Sequence, residues 1–157
     1  MTAYETLLAE AELHEVDIYE KPMKQTIKGL YGNNVIWINK YISTNVEKTC
    51  ILAEELGHHF TTVGDITDQS KLENRKQEKQ ARTWAYEKLV SLEKIVQAIE
   101  AGCRNRFEAS EYLDVTEEFF EAAINHYKEK YGLSYSAKNY TIFFEPLGVL
   151  KIFDEVL

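Results

Sequence analysis

Residues 51–60, Ile-Leu-Ala-Glu-Glu-Leu-Gly-His-His-Phe, constrain the fold more than any other stretch. Leu52, Leu56 and Phe60 recur at intervals of four and mark the apolar face of a helix. Gly57 falls in the middle of that helix, where glycine costs about 1 kcal/mol relative to alanine. Such a glycine is usually retained where another backbone must pass close. The chain is therefore expected to lay a second element across this helix and to build its core around the contact.

The polar side of the same helix carries Glu54, Glu55 and His58. Residues four apart lie one above the other, so Glu54 and His58 can reach a single ion together. Glu55 is turned by about 100° from Glu54 and borders that face, where a carboxylate can take a proton from an attacking water. The spacing is that of H-E-x-x-H with glutamate at the first position. Zinc accepts carboxylate oxygen as well as imidazole nitrogen, so Glu54 is chemically able to serve as a ligand. An anionic ligand gives the ion more charge than a neutral imidazole does, which favours slower hydrolysis or a harder ion such as manganese. Glu55 and His59 form a second register, also four apart, and His58 and His59 cannot both point at one ion from a regular helix. Leu56 lies roughly 200° around from Glu54, so the first register sets the polar pair opposite the core. Glu54, Glu55 and His58 are favoured, with His59 as a flanking group. A bare E-x-x-x-H arises often by chance in an ordinary amphipathic helix with surface glutamates and a hydrogen-bonded histidine, and Gly57 shifts the odds towards a site.

The flanking periodicities supply the partners. Leu7, Leu8, Ala11 and Leu13 predict a helix over residues 2–13, and Val16, Asp17, Ile18 and Tyr19 alternate like a strand. Residues 27–31 and 35–39 have the β-branched and aromatic content of strands around a Gly32-Asn33-Asn34 turn, and predict a hairpin. Ser43 or Thr44 can cap the motif helix, with Glu47 completing a capping box after Thr44. That helix is expected to end near Val63 and Gly64, with Gly64 as a left-handed cap. A polar stretch over residues 65–74 leads to a second helix over residues 75–90. A metal held by two residues of one helix needs a third ligand from elsewhere, and Glu78 is the candidate. Ala81 and Ala85 share its face and are small enough to let the two helices approach.

At 157 residues the chain makes one domain, or a domain with a small appendage, long enough to bury about two thirds of its unfolded surface. Cys50 and Cys103 are too few for a disulfide framework or a C-x-x-C site and read as small apolar residues in helices, which favours a reducing, cytoplasmic setting. The first residues carry acid where a signal peptide needs base, and no apolar run reaches a membrane span. A net charge of -8 and a pI near 5.1 argue against direct binding to nucleic acid, which depends on neutralising phosphates.

Three segments together resemble the ImmA/IrrE metallopeptidases: the hairpin with Lys28-Gly29-Leu30-Tyr31 and Ile36-Trp37-Ile38-Asn39, the run from Glu47 to His59, and Glu78-x-x-Ala81-x-x-Trp84-Ala85. Phe144-Glu145-Pro146-Leu147-Gly148-Val149 is similar to the tail of phage and mobile-element members. The resemblance implies a zincin-like core and cleavage of a helix-turn-helix repressor protein. It maps the general base onto Glu55 and the metal ligands onto His58 and Glu78, with the first ligand position occupied by Glu54. Zn(2+) is the implied cofactor, with Mn(2+) as a possible replacement. The implied chemistry is metal-assisted amide hydrolysis, in which Glu55 deprotonates water and hands the proton to the leaving amine. Tyr31, Trp37 or His59 could support the substrate or the oxyanion, and an exposed hairpin edge could hold a substrate segment as an added strand.

Beyond the second helix, residues 92–101 and 106–113 read as helices separated by Gly102, and Thr116 caps a longer one ending near Tyr131 and Gly132. Residues 108–116 have the rhythm of a helix-turn-helix unit. The second helix of that unit opens Thr116-Glu117-Glu118, where carboxylates repel phosphate, so a trihelical scaffold or protein-docking surface is expected. Residues 140–144 and 148–153 alternate like a terminal hairpin. The expected fold is α+β, a zincin-like core over residues 1–90 with a helix-turn-helix-like helical subdomain over 91–132 and C-terminal strands over 133–157. Three functions fit: a metallopeptidase acting on a repressor, a non-catalytic antirepressor of the same fold, and a small acidic adaptor without metal.

Overall fold

The computed structural model describes residues 1–62 and 72–151. The chain is α+β, with six helices and two three-stranded sheets among the described residues. The first helix, α1 (Ala3–Leu13), starts at Thr2, whose hydroxyl accepts from the Glu5 amide while the Glu5 carboxylate accepts from the Thr2 amide. This reciprocal cap satisfies two donors that the first turn leaves orphaned, and Leu7 and Ala11 form its buried face.

Three strands follow: β1 (Asp17–Lys21), β2 (Gly29–Gly32) and β3 (Val35–Asn39). The expected hairpin is β2 and β3, closed by Asn33 and Asn34, both at positive φ, the conformation a tight two-residue connection demands. The hairpin does not stand alone. β1 pairs parallel to β3, so the order is β1-β3-β2 and β2 keeps one free edge. A two-stranded hairpin is marginal in water, and the third strand gives the sheet a face wide enough to pack. Ile36 and Ile38 point into the core and are fully buried.

The motif helix is α2 (Asn45–Thr61). Thr44 caps it by accepting from the Glu47 amide, while Glu47 turns its carboxylate to Lys28 Nζ at 3.1 Å. α2 ends at Thr61, short of the expected Val63; the Gly64 cap and the polar stretch up to residue 71 lie outside the described residues. Phe60 departs from its expected place on the apolar face. It is 37% exposed, because in the last turn of α2 it meets rings, stacking on Trp84 and taking the edges of His14 and His59.

The second helix, α3 (Leu72–Leu89), begins earlier than residue 75. It crosses α2 so closely that a Cβ at Gly57 would lie 2.2 Å from the Ala81 carbonyl oxygen. Ala81 and Ala85 are fully buried at that crossing. Three helices follow, α4 (Leu92–Glu100), α5 (Arg106–Tyr112) and α6 (Glu117–Tyr131), each capped by a side chain, from Ser91, Asn105 and Thr116. The second sheet is β4 (Ser134–Ser136), β5 (Tyr140–Phe144) and β6 (Leu147–Lys151), all antiparallel. The expected terminal hairpin thus gains β4, which is too short to show a sequence period; its expected reach to Phe153 lies outside the described residues. One buried cluster runs from Leu7 of α1 through α2 and α6 to Phe144 of β5. Among the described residues no helix is long and apolar enough to cross a membrane.

Candidate active site

The two registers of α2 face opposite neighbours. His58 turns to α3, where its Nε2 lies 3.2 Å from Glu78 Oε2. His59 turns to the first sheet, where its Nδ1 lies 2.8 Å from the Tyr31 hydroxyl and its ring meets the edge of Tyr31. The helical spacing that separates them by about 100° is what sends them apart. Gly57 makes the first contact possible, since α3 must come this close for Glu78 to meet His58.

The other nitrogen of His58, Nδ1, lies 2.9 Å from Thr62 Oγ1. A hydroxyl both donates and accepts, so Thr62 supports either imidazole tautomer, including the one that leaves Nε2 with a free lone pair. Holding the second nitrogen is how proteins orient a ligating histidine. Glu78 is also steadied from behind by Arg82, one helical turn on, at 3.5 Å. Neither Thr62 nor Arg82 was foreseen, although each stands four residues after its partner, the spacing that would have exposed it.

Glu55 packs under the start of β2. A Cβ on Gly29 would lie 3.2 Å from both Cγ and Oε1 of Glu55, so this glycine leaves room for the carboxylate beside the strand. Burial, and then the charges of Glu54 and Glu78, push the Glu55 carboxyl up to about 8. Glu54 is raised as well, first by burial and then by Glu78, with Arg82 and Lys28 pulling the other way. Glu54 and Glu55 are therefore raised mainly by being taken out of water beside other carboxylates, the kind of setting that marks functional sites. His59 is lowered by burial and by His14.

The connection from β1 to β2 is fixed by a residue whose role the sequence did not reveal. Asn39, 4% exposed, donates from Nδ2 to the carbonyls of Ile27 at 2.8 Å and Lys24 at 3.1 Å and accepts from the Tyr41 amide at 3.0 Å. Those bonds set the path by which Lys28 and Gly29 arrive over Glu55. Trp37 is half-buried in β3.

One imidazole and three carboxylates are the donor types a divalent cation takes. The chemistry of the set fits such an ion. Among the described residues, however, no three His, Cys, Asp or Glu side chains converge as a coordination group. His58 and Glu78 are brought together, and the charge of Glu54 helps to raise the pKa of Glu55 without either carboxylate joining them.

No match to the chain is found among curated proteins. A family model described as the IrrE N-terminal-like domain, peptidase family M78, matches residues 11–125 and takes in every residue of the candidate site. The chain belongs to the IrrE N-terminal-like peptidase family.

Proposed function

We propose that the protein is a metal-dependent endopeptidase of the cytoplasm that cleaves a helix-turn-helix repressor of a prophage or mobile element. The observation that carries this reading is the His58–Glu78 contact across the α2 and α3 crossing, in a chain of a peptidase family. His58, Glu78 and Glu54 would hold the ion, zinc or in its place manganese, which when bound polarises the scissile carbonyl and acidifies the attacking water. Glu55 accepts the proton from that water and returns it to the leaving amine, from a place beside β2 that Gly29 leaves open for its carboxylate. With His59 in the tautomer that donates from Nδ1, Tyr31 accepts from it and keeps its single hydroxyl proton for the developing oxyanion. Among the described residues β2 pairs only with β3, and so offers an edge on which an extended substrate segment can add as a strand.

A second reading has its own support. Glu54 stands where the motif has histidine, and among the described residues no ready coordination group exists, which suits a protein that binds the repressor and displaces it without cutting. The two readings part on one experiment. The purified protein, with zinc or manganese added, is incubated with the helix-turn-helix regulator encoded beside its gene, and fragments are read by mass spectrometry. Discrete fragments are expected, lost with chelator and reduced at least about a hundred-fold in Glu55→Gln. Derepression at wild-type strength by Glu55→Gln would establish the non-catalytic reading instead.

A further inference from the structure

A cleft of about 1040 Å³ opens beside Glu54, between the first turns of α2 and the first turns of α6. Its charged lining is one-sided. Glu47, Glu54, Glu117, Glu118 and Glu121 face it against the single ammonium of Lys28. Glu47 is paired with Lys28, and Glu121 with Arg106. Glu117 and Glu118 are exposed and have no ion-pair partner among the described residues.

The cleft is continuous with the candidate site in two places. Glu54 lines it directly, and Tyr86, Ala122 and Asn125 form a wall shared with a second groove that contains Glu78 and Arg82. It also meets the free edge of the first sheet, because Lys28, on its lining, is the residue before β2. A segment that added to that edge and continued past Lys28 would enter the cleft that the carboxylates of α6 line. Alternate side chains of such a segment point the same way, so the cleft meets every second one. A phosphate backbone would be repelled by the same carboxylates.

We infer that this cleft recognises a polypeptide segment bearing lysine or arginine side chains, and that Glu117, Glu118 and Glu121 set the preference for them next to the bond to be cut. The position of the cut rests on the peptidase reading; the binding does not. Charge complementarity in an open cleft acts over less than about 8 Å at physiological ionic strength, so the preference belongs to side chains that reach these carboxylates and weakens with salt.

The test uses the full chain and short fluorescent peptides of equal length and sequence, carrying lysine, serine or glutamate at alternate positions, with binding read by anisotropy. The lysine peptide is expected to bind about ten-fold tighter than the serine peptide, and the gap to close in Glu117→Gln with Glu118→Gln. Glu117→Lys with Glu118→Lys should turn the preference towards the glutamate peptide. A control pair, Glu12→Gln with Asp17→Asn, removes the same charge outside the cleft and should leave the gap intact. Equal binding of the three peptides, or an equal loss in the control pair, overturns the inference, the latter because net charge alone would then explain it. Cleavage of the same peptides is scored separately. Preference without cutting leaves this inference standing and removes the peptidase reading, whereas cutting without preference does the reverse.

Discussion

Glu55 is held where its ionised form is least comfortable. In the fold its carboxyl ionises near 8, against an ordinary value of 4.5, because burial, Glu54 and Glu78 all oppose the charge. A folded-state value above the unfolded one means that the native state binds the proton more tightly. Its contribution to stability is therefore complete below about 4.5 and is lost as pH rises towards about 8. In metal-free protein, Glu55→Gln removes the charge without changing the shape. It is expected to melt several degrees above wild type at pH 8, with the gap closing as pH falls towards 4.5. A gap of the same size at both ends of the range would show that ionisation is not its cause. At this scale helical spacing singled out Glu54, Glu55 and His58 on one helix, and the need for a ligand from a second element pointed to Glu78, which does meet His58. The sequence was silent on which atoms touch. That His58 meets Glu78 rather than Glu54, and that Thr62 holds its other nitrogen, depend on rotamers and on how far α3 slides along α2, neither of which leaves a pattern in the chain.

The α2 and α3 crossing is the element on which the site depends, and Gly57 is its closest point. In Gly57→Ala the added methyl would stand 2.2 Å from the Ala81 carbonyl oxygen, and backbone cannot swing aside as a side-chain tip can. The helices must separate, so alanine, despite its higher helix propensity, is expected to cost about 3 kcal/mol in urea unfolding. A loss below about 1 kcal/mol would mean that the crossing gives way easily and that the contact is not a constraint. The glycine was legible because it sits where propensity alone argues against it. Hairpin, caps and helix order were legible for similar reasons, each resting on local chemistry such as the Asn33-Asn34 turn or the Thr116 hydroxyl. The parallel pairing of β1 with β3 was not, because it joins Asp17 to Val35 across a span that contains another strand. β4 escaped notice because three residues show no period.

Over the whole molecule, the family match and the core do not share an end. The match stops at residue 125, within α6 and before the second sheet, yet the buried cluster continues through Tyr127, Ile142 and Phe144. Tyr127 donates its hydroxyl to the Val90 carbonyl at 2.7 Å, joining α6 to the end of α3, and its ring stacks on Phe144. Arg106 of α5 reaches the Phe144 carbonyl at 2.9 Å and also pairs with Glu121. The last sheet therefore closes the core beneath the acidic cleft rather than hanging from it. A chain ending at residue 125 is expected to lose cooperative unfolding, since it halves α6 and leaves Phe120 and Ile124, both fully buried, facing water. The full chain is expected to unfold in a single transition with coincident far-ultraviolet and near-ultraviolet circular dichroism. Two separated transitions in the full chain, or a sharp melt of the shortened one, would show that residues 1–125 fold alone and that the sheet is an appendage. In that event Glu54 and the carboxylates of α6, all before residue 126, would stay in one body, and the cleft would not depend on the sheet.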